Sequence, residues 1–225
     1  MSVKRTLILA AATASALLTT AALAGGPDVA PVAPAFQPFI YVEAHAGYAW
    51  ESEQVSQSLI PAQAGYSYES YSTQRNGFAY GADLGYMFVR NFGLEAGYFY
   101  LPKSKVNINY EPVGEGFSAN FKYKTNSYLL YVAARATMPI FQSLDVFAKL
   151  GLGYRHMKYY DSSALYTPIN GGYWAPVVAA GLSYSLNTNW SLGAQYMFIP
   201  KHSKATRPAG SVSLLTGYVG YSFSV

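Results

Sequence analysis

A side-chain period of two governs this chain from residue 39 to its end. In 39–50, Ile40, Val42, Ala44, Ala46, Tyr48 and Trp50 share one face, and Tyr41, Glu43, His45, Gly47 and Ala49 share the other. In 77–89 the pattern returns, with Phe78, Tyr80, Ala82, Leu84, Tyr86 and Phe88 against Gly81, Asp83, Gly85 and Met87. A period of two belongs to a strand, and about 3.6 to a helix. Eight segments obey it: 39–50, 77–89, 92–102, 126–138, 144–156, 173–186, 190–200 and 212–225. Each has 11–14 residues, against about 5–6 for an ordinary strand and about 9–11 for a tilted strand crossing a bilayer. A Gly-Tyr step recurs at Gly47-Tyr48, Gly85-Tyr86, Gly97-Tyr98, Gly153-Tyr154 and Gly220-Tyr221. Gly always falls on the small-residue face and Tyr on the apolar one, so the registers agree.

Alternation alone fits two barrels, a soluble one with its apolar face inward and a membrane one with that face outward. Volume and charge choose between them. The apolar face holds Trp50, Trp174, Trp190, Phe78, Phe88, Phe198, Phe223 and many Tyr. The interior of an eight-stranded barrel is only just wide enough for side chains to fill. The opposite face reads mostly as Gly, Ala, Ser and Thr, which fit there. No Asp, Glu, Lys or Arg falls on the apolar face, although charged residues make up 12% of the chain. A soluble barrel needs that outer face rich in charge. The expectation is an all-β protein, an eight-stranded antiparallel up-and-down transmembrane β-barrel. Aromatic residues crowd both ends of the apolar face and Ala, Val and Leu fill its middle, the pattern of two interfacial girdles.

The connections alternate in length. Arg90-Asn91, Pro139 to Ser143 and Asn187 to Asn189 are tight, whereas 51–76, 103–125, 157–172 and 201–211 are long. Short turns on one side and long loops on the other is the outer-membrane layout, with the short turns and both termini periplasmic. Ahead of the barrel, Lys4 and Arg5, the uncharged stretch Thr6 to Ala21 and Ala22-Leu23-Ala24 read as a signal peptide over 1–24. Pro27, Pro31, Pro34 and Pro38 make 25–38 an extended periplasmic arm. Loss of Lys4 and Arg5 lowers the formal charge from +4 to +2, which is no footprint for nucleic acid. The chain has no cysteine, which excludes a disulfide scaffold or a Cys-ligated zinc domain.

His45-Ala-Gly-Tyr-Ala-Trp50, Val146-Phe-Ala-Lys-Leu-Gly-Leu-Gly-Tyr154, Tyr173-Trp-Ala-Pro-Val177 and the closing Gly217-Tyr-Val-Gly-Tyr-Ser-Phe-Ser-Val225 together resemble the small eight-stranded outer-membrane barrels of the OmpA/OmpX type. The likeness spans 39–225. The family usually ends in Phe, and here Phe223 stands two residues before Val225 on the same face. No periplasmic domain is expected after the barrel, so a cell-wall tether is not carried over. The resemblance implies a cell-surface protein of a Gram-negative bacterium, with adhesion to or invasion of host cells as the first functional expectation.

Two groups of residues are candidates for that function. Glu43, His45, Asp83, Glu95, Arg135 and Lys149 fall on the interior face. Counted from the short turns, Glu95 and Arg135 come out level, with Glu43, Asp83 and Lys149 one or two layers higher. Opposite charges in so narrow a lumen are expected to pair, because an unpaired buried charge is costly. A plug is the main reading and a narrow, switchable channel the second. The third is a lipid-modifying enzyme built on His45 and Glu43, for which no Ser is placed beside them. No catalytic residue, cofactor or metal is expected. The other group lies in the long loops: Tyr66, Tyr68 and Tyr71 in the first, Lys103, Lys105, Lys122 and Lys124 in the second, and Lys201, Lys204 and Arg207 in the fourth. Tyr and Ser there supply adaptable contact surface. The expected partners are outer-membrane lipid and lipopolysaccharide, and a host-cell receptor or anionic glycan, for a protein acting as a monomer or as a general envelope-integrity element.

Overall fold

A computed structural model describes residues 36–52, 66–112, 119–161, 170–201 and 210–224. The expected signal peptide and most of the Pro-rich arm, residues 1–35, lie outside the described residues. Nine strands follow one another: β1 (Phe39–Ser52), β2 (Tyr66–Gln74), β3 (Asn76–Val89), β4 (Phe92–Pro112), β5 (Ala119–Phe141), β6 (Leu144–Asp161), β7 (Asn170–Ser185), β8 (Trp190–Ile199) and β9 (Ser211–Ser224). All pair antiparallel with their neighbours. The β1–β9 and β4–β5 pairings close β1 and β3–β9 into an eight-stranded ring, and β2 hangs on the far end of β4. Closure leaves no open edge among the eight, as a lipid-embedded sheet requires.

The alternation sorts the side chains as the sequence implies. Along β1, Tyr41, Glu43, His45 and Ala49 are buried while Val42, Ala44, Ala46, Tyr48 and Trp50 are exposed. The outside is an apolar band: Phe78 is 63% exposed, Leu150 67% and Trp174 68%. Water would not tolerate such a surface over the whole circumference, and lipid requires it. Aromatic belts border the band. Tyr98 contacts Tyr128, Tyr128 stacks on His156 and Tyr154 meets Trp174, with ring centroids 5.8, 5.1 and 5.4 Å apart. Trp190, Tyr221 and Phe223 mark the other border, 4.9 and 4.7 Å apart.

The short turns are locked by asparagine. Asn91 donates its Nδ2 to the Thr137 carbonyl and accepts the Thr137 amide on its own carbonyl, both at 2.8 Å. Asn189 does the same with Ser222, at 2.9 and 2.8 Å. The Asn187 side chain accepts the amides of Asn189 and Trp190, closing an Asx turn.

Three expectations change. First, the second long loop is mostly strand: β4 has 21 residues and β5 has 23, and they stay paired from Phe92↔Ala136 out to Tyr110↔Ala119. The first loop likewise contains β2. Outside the bilayer both faces meet water, so the apolar alternation that marks a strand fades while the ladder continues. Second, the interior is not mostly small. Tyr41, Phe99, Tyr131, Phe147 and Tyr218 are all buried. They fit because glycine stands beneath each on a neighbouring strand: a Cβ at Gly85 would fall on the Tyr41 ring, and one at Gly97 on Tyr131 and Asp83. Gly81 serves Phe99, Gly181 serves Phe147 and Gly193 serves Tyr218. Third, the tight turn between β5 and β6 shrinks to Gln142-Ser143, with Pro139 inside β5 beside a bulge.

Candidate functional site

The interior stacks three layers. The one nearest the short turns is ionic. Arg135 on β5 faces Lys149 on β6 in register, and Glu43 on β1 faces Asp83 on β3. Like charges directly opposite one another destabilise a sheet, and here each like pair is relieved by the other across the lumen. Arg135 Nη1 lies 2.7 Å from Glu43 Oε1 and 3.4 Å from Glu95 Oε2. Lys149 Nζ lies 2.6 Å from Glu95 Oε1, 3.2 Å from Asp83 Oδ2 and 3.7 Å from Glu43 Oε2. The Tyr41 and Tyr131 hydroxyls donate to Glu95 at 2.7 and 2.6 Å. The Arg135 guanidinium lies over the Phe147 ring, 4.2 Å from its centroid.

All six interior charge candidates thus meet in one cluster. Glu95 and Arg135 are not level: Arg135 pairs with Gly93, and Glu95 with Ala133. Counting from turns ignores strand stagger in a tilted barrel, and the long Arg and Lys side chains span the remaining offset. His45 Nε2 lies 3.0 Å from Asp83 Oδ2 and 3.5 Å from Glu43 Oε2. Its ring packs 5.2 Å from Phe99 and 5.0 Å from Tyr218, and its side chain is wholly buried. The one hydroxyl within hydrogen-bond reach of it among the described residues is Thr216 Oγ1, 3.4 Å from Nδ1. Glu43, His45 and Asp83 bring three ligand atoms within 4.8 Å. The Lys149 ammonium and the Arg135 guanidinium already occupy the cation positions beside those carboxylates, so the set does not fit a metal.

Above the ions lies an apolar layer. Phe99, Leu129, Val177, Met197 and Leu214 project into it from five strands, each no more than 1% exposed. Above that, Arg155 forms a second ionic tie that the sequence reading missed. Its Nη2 lies 2.9 Å from Glu51 Oε1, and its Nη1 donates to the Tyr173 hydroxyl and the Gly210 carbonyl at 3.3 Å each. The signal was available, since Arg155 shares the parity of Lys149, and Glu51 that of Glu43. Below the ionic layer, a vestibule of about 360 Å³ opens at the short-turn end, floored by Glu43 and Arg135 and rimmed by Phe36 and Phe39.

The loop candidates gather only in part: Lys105 on β4 pairs in register with Lys124 on β5. Lys103, Lys105 and Lys124 are exposed on β4 and β5, and Lys201 is exposed after β8. Tyr66, Tyr68 and Tyr71 fall on β2 and Lys122 on β5, where only the backbone is described. Lys204 and Arg207 lie outside the described residues.

A closed eight-stranded antiparallel barrel with an apolar exterior, two aromatic belts and a filled interior defines a small outer-membrane barrel protein. The chain belongs to the OmpA-like transmembrane domain family, whose model matches residues 37–224. No curated protein matches it in sequence. Among solved structures, the outer-membrane protein OprG of Pseudomonas aeruginosa is similar with a TM-score of 0.51 and 12% identity, over 84% of this chain and 97% of that one. The N-terminal β-barrel domain of P. aeruginosa OprF gives 0.48 and 15%, over 81% and 97%. Ail, the attachment invasion locus protein of Yersinia pestis, in complex with the heparin analogue sucrose octasulfate, gives 0.46 and 13%, over 83% and 98%. These likenesses are of fold.

Proposed function

We propose that this outer-membrane protein mediates adhesion to or invasion of host cells through its long-strand end, on a barrel that is itself structural. One contrast carries the reading. The lumen is filled from the Arg135 layer to Arg155, while β4 and β5 run on as a paired hairpin of 21 and 23 residues. About ten residues of each exceed what a bilayer needs, which is on the order of 30 Å of strand. A barrel with nothing to pass through it acts at its rim. The rim sequence suits contact: Tyr66, Tyr68 and Tyr71 with their serines give amphipathic surface, and Lys201, Lys204 and Arg207 give charge for an anionic glycan or an acidic receptor patch.

The orientation that goes with this reading puts both termini and the short turns in the periplasm and the long strands outside the cell. Residues 1–24 as an export signal and 25–38 as a periplasmic arm suit it. A band apolar around its whole circumference suits a monomer surrounded by lipid. The enzyme alternative is weakened by the sealing of His45 beneath Phe99 and Tyr218, and the channel alternative by the apolar layer above the ions. The reading is tested by replacing 53–65, the β4–β5 hairpin beyond Lys103, and 202–209 one at a time with short turns, in bacteria that express the protein. Loss of attachment to cultured cells in at least one variant is expected, with the barrel still heat-modifiable on a gel. Unchanged attachment in every variant would refute adhesion and leave envelope integrity as the role.

A further inference from the structure

Lysines cluster on the outer wall just past the upper aromatic belt, at the base of the β4–β5 hairpin. β5 and β6 pair without irregularity from Tyr123↔Asp161 to Pro139↔Asp145. Lys124 therefore shares the outward face of Tyr128, and Lys158 that of Tyr154, each two outward positions beyond its girdle tyrosine. Past a bulge between Leu101 and Ser104, Lys105 faces Lys124 directly. Lys158 faces Asn126, the next outward residue from Lys124. In such geometry direct partners have Cβ atoms about 5 Å apart and diagonal ones about 7–8 Å. Lys103, at the bulge, is exposed beside them, as are the other three.

Nothing within the described residues neutralises this group. In the backbone register Gln74 pairs with Lys105, Tyr160 with Lys124, and Asn126 and Asn170 with Lys158. None of the four lysines has a carboxylate partner among the described residues. A directly opposed Lys-Lys pair is unfavourable in a sheet, and an anion lying between the two ammonium groups reverses the sign. The depth says which anion. Four residues past a girdle tyrosine is about 13 Å along the strand and about 9 Å up the membrane normal at a tilt of ~45°. A lysine that reaches back toward the lipid along its methylene stem puts its ammonium group in the headgroup zone.

We propose that Lys105, Lys124 and Lys158, with Lys103 alongside, form a seat for the phosphate groups of the outer leaflet's glycolipid, lipid A. The seat continues the lipid-facing band upward and rests on the orientation proposed above. It ties one side of the barrel, the β4–β6 wall, to the phosphorylated headgroups.

The test uses the full-length folded protein in phosphatidylcholine vesicles, with either bis-phosphorylated or dephosphorylated lipid A added. Bis-phosphorylated lipid A is expected to raise the temperature at which the folded band converts to the unfolded one, and dephosphorylated lipid A to leave it unchanged. K105Q/K124Q/K158Q is expected to keep the wild-type transition in plain vesicles and to bind lipid A about a hundredfold more weakly, at roughly fivefold per lysine. K201Q/K204Q/R207Q, equally basic but in the connection between β8 and β9, is expected to keep the full shift, and so is the charge-conserving K105R/K124R/K158R. Equal shifts with both lipids, or an undiminished shift in the Gln variant, would overturn the proposal. Should the Gln variant fold poorly, loss of the wild-type shift on dephosphorylation alone decides. Since no host cell is involved, the outcome is independent of the adhesion test.

Discussion

Replacing Lys149 by Met deletes one cation and keeps nearly the whole stem. Lys149 is 1% exposed and its Nζ touches all three acids of the cluster, Glu95 at 2.6 Å, Asp83 at 3.2 Å and Glu43 at 3.7 Å. Without it, three buried carboxylates share Arg135 and, when protonated, His45. Removing one partner of a buried ion pair costs about 3–5 kcal/mol, because the charge left behind is unsolvated. Lys149→Met is therefore expected to destabilise the barrel by that amount. Adding Glu95→Gln removes the acid closest to the lost ammonium. The carboxamide that takes the carboxylate's place can still accept from one tyrosine hydroxyl and donate to the other, Tyr41 or Tyr131. The double variant is expected to recover about 1–3 kcal/mol relative to the sum of the two single changes, the usual coupling for directly touching residues. Urea titration of protein folded into lipid vesicles, followed by the gel shift between folded and unfolded bands, gives all four corners of the cycle. A Lys149→Met variant within about 0.5 kcal/mol of wild type, or strict additivity in the cycle, would refute the picture of a tightly coupled buried cluster.

Other outcomes follow from the same geometry. Gly85→Ala is expected to cost about 1–3 kcal/mol in the urea assay, because the new methyl meets a Tyr41 ring tethered by Glu95. Gly217→Ala, with only the Gly193 carbonyl 3.7 Å away, is expected to stay within about 0.5 kcal/mol. Leu150→Lys, mid-band and facing lipid, should destabilise by about 2–4 kcal/mol in vesicles; a neutral or stabilising result would mean that the face meets water. Arg155→Met should speed hydrogen exchange in β6 around Gly153–Met157 and in β9 near Val212, and leave the Leu144–Lys149 stretch unchanged.

The strands, their faces and the closed barrel were legible because lipid on one side and a packed lumen on the other write a period of two into the residues themselves. The pattern ends where the bilayer ends. Ser104 to Tyr110 and Ala119 to Thr125 pair through backbone hydrogen bonds that no side-chain preference records, so a hairpin read as a loop. Inside, the period told which residues point inward but not how high each stands. Arg135 and Glu95 seemed level from their turns, and the register sets them two residues apart. Tyr41, Phe99, Tyr131, Phe147 and Tyr218 shared the small-residue face without being small. Their compatibility with a narrow lumen depends on which glycine each meets across the sheet, a fact of register. Arg155 and Glu51 were readable by parity and overlooked because both stand at strand ends beside long connections.

The central claim is that the interior is filled, so that function belongs to the exterior. Single-channel recording in planar bilayers tests this most directly, with wild type and Lys149→Met side by side. Neither protein is expected to give stable conductance steps, because the layer of Phe99, Leu129, Val177, Met197 and Leu214 stays closed even when the ion pairs are broken. Large, long-lived open channels from the wild-type protein would contradict it.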